Sequence, residues 1–204
     1  VTALSLAFPI QNLQIGFATG AAVGVNSLLS KSLGEGNRER ANQAAGNGIF
    51  LTAIMVVLFM LFGFFGAKPY YAMQSDVAET AQGGAAYTAI CCIFTLGIFV
   101  EILGERLLQA SGRTVYTLFT QGTGAVINIV LDPLFIFGGF GIPAMGIAGA
   151  AIATVIGQWV AGIMAVIFNF TVNPDVQLKL RYVLACITVW APHQNSHRFV
   201  QHFL

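Results

Sequence analysis

Five long stretches of this chain carry almost no charge, and that restricts its fold more than any motif does. Val1 to Ser30, Ala41 to Ala67, Thr80 to Val100 and Gly146 to Val172 hold no Asp, Glu, Lys or Arg. Thr114 to Phe137 holds one, Asp132. A helix needs about 20 apolar residues to cross a bilayer, and each stretch is long enough. Only 8% of the 204 residues are charged, against about 25% in ordinary soluble domains. A water-facing surface cannot be built from so few charges. The chain is therefore expected to be an all-α membrane protein with five transmembrane helices.

The breaks between spans are explicit. Gly34 and Gly36 stop the first span inside the polar knot Lys31 to Arg40. Lys68 to Glu79, with Pro69, reads as a polar link after the second. The third span is expected to run on to about Leu108, before the turn at Ser111, Gly112 and Arg113. Gly138, Gly139, Gly141 and Pro143 separate the fourth span from the fifth, which ends at Asn173-Pro174-Asp175. Gly16, Gly20 and Gly24 in the first span, and Gly149, Ala153, Gly157, Ala161 and Ala165 in the fifth, form small-residue faces. Such faces let helices approach closely in lipid.

The cations are distributed unevenly. Lys31, Arg38, Arg40, Arg106, Arg113, Lys179 and Arg181 fall in the loops at 31–40, 106–113 and 173–181, all on one side. Lys68 stands alone on the other. Cytoplasmic loops are the Lys- and Arg-rich ones, so those three loops are expected in the cytoplasm of a multi-pass plasma-membrane protein. The first span then runs inward without a signal peptide, which leads to the expectation of an earlier span before Val1.

Asp132 is the residue that asks for a purpose. A carboxylate at the centre of a membrane helix costs about 2.5–3.5 kcal/mol on insertion scales. Asn128 lies four residues earlier, on the same helical face. Pro133 has no N–H, so it leaves the Ile129 carbonyl without its helical donor and marks a kink. Hard oxygen ligands of this kind suit a small cation or a proton. Counted from Thr114, Asp132 sits roughly 27 Å along its helix, in the outer third. Thr154 can face it if the fourth and fifth spans form a hairpin. Glu101 and Glu105, also four apart, lie with Arg106 and Gln109 near the inner surface. They read as a solvated interfacial cluster, or as cavity or gate residues that make a gate salt bridge or a substrate contact.

Other classes fare poorly. No Ser-His-Asp set, phosphate-cradling loop or HExxH motif is present, so enzyme chemistry is not expected. The net charge of +1 gives no field for nucleic acid. Cys91, Cys92 and Cys186 lack metal spacing and read as structural. His193 and His197 stand four apart, but Pro192 and the lack of a flanking carboxylate argue against a metal site. No cofactor is expected.

The order of several blocks resembles the multidrug and toxic compound extrusion (MATE) family, over about Ser5 to Asn173. LAFPIQNLQIGFATGAAVGVNSLLSKSLGEGNRERAN is similar to the family's second helix, NIVLDPLFIFG to its fifth and GIAGAAIAT to its sixth. ERLLQASGRT is similar to the segment between the fourth and fifth. The resemblance implies twelve helices in two six-helix lobes around a cavity that opens alternately to each side. Residues 1–173 would be helices two to six of the N-terminal lobe. Residues 174–204 would be a cytoplasmic linker and a tail, unlike the family from about Tyr182. The first helix and the C-terminal lobe of such a transporter would be its missing partners. The family's cation ligands would fall on Asn128, Asp132, Thr154 and the Ala150 carbonyl, with one further acid on the absent first helix. The implied activity is extrusion of organic cations or drugs against sodium or protons, with the lipid bilayer as surroundings. A lipid-linked oligosaccharide flippase of the same superfamily and a non-transporting membrane fragment are the alternatives. The absence of Lys and Arg from span interiors favours the exporter over the flippase.

Overall fold

A computed structural model of the protein describes residues 2–75, 77–178 and 182–183. Helix α1 covers Thr2–Gly34. Its inward face is set by small or neutral residues at three- and four-residue spacing: Ala7, Gln14, Ala18, Ala22, Val25, Leu29 and Ser32 are all buried. Gly36 takes a left-handed φ of 71° and turns the chain. Asn37 then caps α2 (Arg38–Leu61) by accepting a hydrogen bond from the Arg40 N–H at 3.0 Å.

The second span is longer than its polar composition suggests. Phe62–Gly66 forms one wide π turn, and α3 (Ala67–Gln74) continues the rod. Arg38–Gln74 is thus one apolar span, and the polar link expected over Lys68 to Glu79 shrinks to a loop after Gln74. The π turn shifts the hydrogen-bond register. Pro69 then falls in the first turn of α3, where a missing N–H is tolerated.

The third span is broken in the middle. Helices α4 (Ala78–Ile93) and α5 (Leu96–Ala110) meet at 47°. Neither a proline nor a glycine causes this break. Neighbouring helices hold it instead, because polar backbone in lipid needs a partner. Gln14 Nε2 donates to Thr95 Oγ1 at 3.0 Å, and the Trp159 indole N–H donates to the Phe94 carbonyl at 3.2 Å. Thr95 is fully buried at the bend.

Helices α6 (Thr114–Phe137) and α7 (Gly146–Thr171) form a close hairpin. Its loop is pinned where the Met145 N–H donates to the Phe135 carbonyl at 2.9 Å. Four helices among the described residues are long and apolar enough to cross a membrane, and the bent α4–α5 pair makes a fifth span. Alternating helix directions bring the α1–α2 loop, the α5–α6 turn and the segment after α7 to one end. There Asp175 accepts from Arg113 at 2.6 Å and pairs with Arg38 at 3.7 Å.

The two small-residue faces behave differently. In α7, Ala153, Ala161 and Ala165 are completely buried. A methyl at Gly157 would stand 2.9 Å from the Gly124 carbonyl oxygen of α6, so those backbones touch. Gly16, Gly20 and Gly24 of α1 have nothing within 4 Å. The close approach expected there does not occur among the described residues.

Candidate functional site

The α6–α7 contact decides where Asn128 and Thr154 meet. With Gly124 against Gly157, the next turn of α6 carries Asn128 onto α7. Asn128 Nδ2 donates to Thr154 Oγ1 at 3.4 Å, and Thr154 Oγ1 donates to the Ala150 carbonyl at 2.9 Å. Asp132 is one turn further along the same face of α6 and is half-buried. Its Oδ1 is shut off from solvent and has no hydrogen-bond partner. Pro133 lies inside α6 without ending it.

Two more helices complete the surroundings. Gln11 of α1 donates through Nε2 to the Tyr87 hydroxyl of α4 at 2.9 Å. That hydroxyl also lies against Thr154. Tyr87, Ala7, Cys91, Ala150 and Ala151 form a buried apolar cluster beside these groups. A chain of polar groups therefore runs from Gln11 through Tyr87 and Thr154 to Asn128, with the unpartnered Asp132 oxygen beyond. Gln11 and Tyr87 were not singled out by sequence. Each is neutral inside an apolar run, and the two lie 76 residues apart.

These groups offer oxygen only: a carboxylate, an amide, a hydroxyl and a backbone carbonyl. Oxygen sets of this hardness match small hard cations, and a carboxylate can take a proton instead. No cluster of three or more His, Cys, Asp or Glu able to hold a metal occurs among the described residues. The histidines at 193, 197 and 202 and the cysteine at 186 lie outside the described residues. Cys91 and Cys92 are buried free thiols.

The second acidic set is elsewhere. Glu105 is 4% exposed. It accepts from Thr120 Oγ1 at 2.6 Å and from Gln121 Nε2 at 2.8 Å. Thr120 lies twelve residues before Asp132, which puts the two sets roughly 18 Å apart along α6. Arg106 turns to Gln109 Oε1, at 2.6 Å. Among the described residues no salt bridge joins Arg106 to Glu101 or Glu105, so the gate pair does not form. The reason is local: residues adjacent in a helix project about 100° apart, and Glu105 faces α6.

The model of the MatE family matches residues 1–134. This chain belongs to the MatE family. MATE proteins are transporters rather than enzymes, and the all-helical lobe described above is theirs. Over 161 residues the chain is 27% identical to the FAD transporter of Shewanella oneidensis, covering 79% of the chain and 36% of that protein. Over 156 residues it is 29% identical to the probable multidrug resistance protein YoeA of Bacillus subtilis, covering 76% of the chain and 34% of that protein. The chain thus spans about a third of the length of these curated relatives. Among solved structures, an inward-facing multidrug resistance MATE family transporter of the MOP superfamily superposes with a TM-score of 0.80. That match covers 89% of this chain and 40% of the other, at 24% identity, and shows the shared fold.

Proposed function

We propose that residues 1–173 form helices two to six of the N-terminal lobe of a cation-coupled MATE antiporter that extrudes organic cations or drugs. The observation that carries this reading is the buried, unpartnered Asp132 Oδ1 beside the Asn128–Thr154–Ala150 chain. An oxygen left so needs a ligand, and a sodium ion or a proton supplies it. Asn128 and Thr154 serve as neutral ligands, together with the Ala150 carbonyl. When the ion arrives, Thr154 gives up its bond to Ala150, and both oxygens turn to the ion. Binding adjusts α6 at Pro133 and biases the lobe between its two orientations. Glu101, Glu105, Arg106 and Gln109 belong to the inner half of the lobe, toward the cavity mouth.

The sidedness follows from charge. Arg38, Arg40, Arg106 and Arg113 gather at one end and Lys68 is at the other, so the Arg-rich end is cytoplasmic and the protein sits in the plasma membrane. One relative is named an FAD transporter and another a probable multidrug resistance protein. A flippase is the second reading, since the second span runs on to Gln74 and takes Lys68 into its interior.

The test is Asp132→Asn in a complete transporter that carries this segment. Sodium- or proton-driven efflux of a cationic dye should fall to background while the protein still reaches the membrane. Efflux with unaltered ion dependence would end the proposal.

A further inference from the structure

A groove of about 640 Å³ runs between the π turn with α3 and helix α4, with Asp132 not among its lining residues. It starts where Gly63 packs on Cys92 and Ile93; a methyl at Gly63 would stand 2.8 Å from Cys92 Cβ. Its floor is Ala81, Ala85 and Ala89, and Phe64 forms a wall. Among the described residues its polar lining is Lys68 and Gln82, both exposed. Tyr71, fully buried, closes the hairpin behind it by packing on Gly84.

The surroundings say which kind of molecule fits. Phe64, Phe65 and Met73 are 60%, 76% and 87% exposed next to the groove. They lie in a span apolar enough for a bilayer, so the groove opens sideways to lipid. Lys68 is six residues from the end of α3, roughly 9 Å in depth, within the reach of a side chain that snorkels to the headgroups. Among the described residues it is the one cation at its end of the bundle, and no acid lies within ion-pair distance of it. Glu79, on the first turn of α4, is not part of the lining. The sequence between Lys68 and Gln82 also carries Asp76, so what draws an anion is the lysine and amide of the lining itself and not the charge of the surrounding segment.

We propose that this groove is a binding site for a monoanionic phospholipid of the leaflet on the Lys68 side. One acyl chain lies along the alanine floor, and the phosphate takes the Lys68 ammonium and the Gln82 amide. The site is independent of the Asp132 reading.

The test is lipid retention by the protein purified from mixed phosphatidylglycerol and phosphatidylcholine membranes, read by native mass spectrometry. Wild type should keep phosphatidylglycerol in preference to phosphatidylcholine. Lys68→Gln should lose about fivefold of that preference, the weight of one cation near a membrane surface, and Lys68→Arg should restore it. Ala86→Trp, at an exposed lining position, should expel both lipids without lowering the melting temperature. Equal retention of the two lipids by wild type, an unchanged preference in Lys68→Gln, or cross-linking of the groove to a second copy of the chain would each overturn the proposal.

Discussion

Asp132→Asn is expected to make the folded protein more stable while removing its response to the coupling ion. The oxygen concerned is buried and unpartnered. Such an atom costs about 1–3 kcal/mol, and more if it is charged. The asparagine keeps an uncharged polar atom at the same position, so only the charge part of that penalty is recovered. A gain of about 1 kcal/mol is the expected size, and for a chain of this length it raises the melting temperature by about 2–4 °C. The assay is thermal unfolding of both proteins in one detergent, with and without sodium and across pH. An ion at a hundred times its Kd stabilises wild type by about 2.7 kcal/mol; the asparagine variant should gain nothing. Loss of more than about 1 kcal/mol in the variant without ion would mean that a partner already holds the carboxylate. That result would refute the reasoning.

Three other substitutions probe separate parts of the lobe. Gly157→Leu forces side-chain volume against the Gly124 carbonyl, 2.9 Å from the added carbon. It should destabilise the α6–α7 hairpin by about 1–3 kcal/mol or more in unfolding measurements. Glu105→Gln replaces an acceptor of two hydrogen bonds by a group that must also donate. It should lower stability by about 1–3 kcal/mol and leave ion-induced stabilisation intact, since Asp132 is far along α6. Arg113→Ala and Asp175→Ala, taken as a double-mutant cycle, should show a coupling of about 0.2–1 kcal/mol that weakens in high salt, because the pair is partly exposed.

Much of this architecture is legible in the sequence because lipid imposes a simple rule. Uncharged runs of sufficient length become spans, and Gly36 and Gly138, both with positive φ, end them where expected. Asp132 stands out as a candidate for a related reason: an acid in such a run is expensive, and Asn128 is one turn away. What escapes is whatever depends on contacts between distant segments. The continuation of α2 through Pro69 needs the π turn, which has no sequence signature. The bend at Phe94 and Thr95 is stabilised by Gln14 and Trp159, far away in the chain. Gln11 and Tyr87 meet only after folding. The partners of Glu105, Thr120 and Gln121 on α6, escape for the same reason.

The most direct test of the Asp132 proposal is infrared difference spectroscopy of its carboxyl group. Wild type should show a protonated-carboxyl band that disappears on adding sodium or on raising pH, and the band should be absent in Asp132→Asn. A band in wild type that responds to neither, or the same response in the variant, would contradict the account.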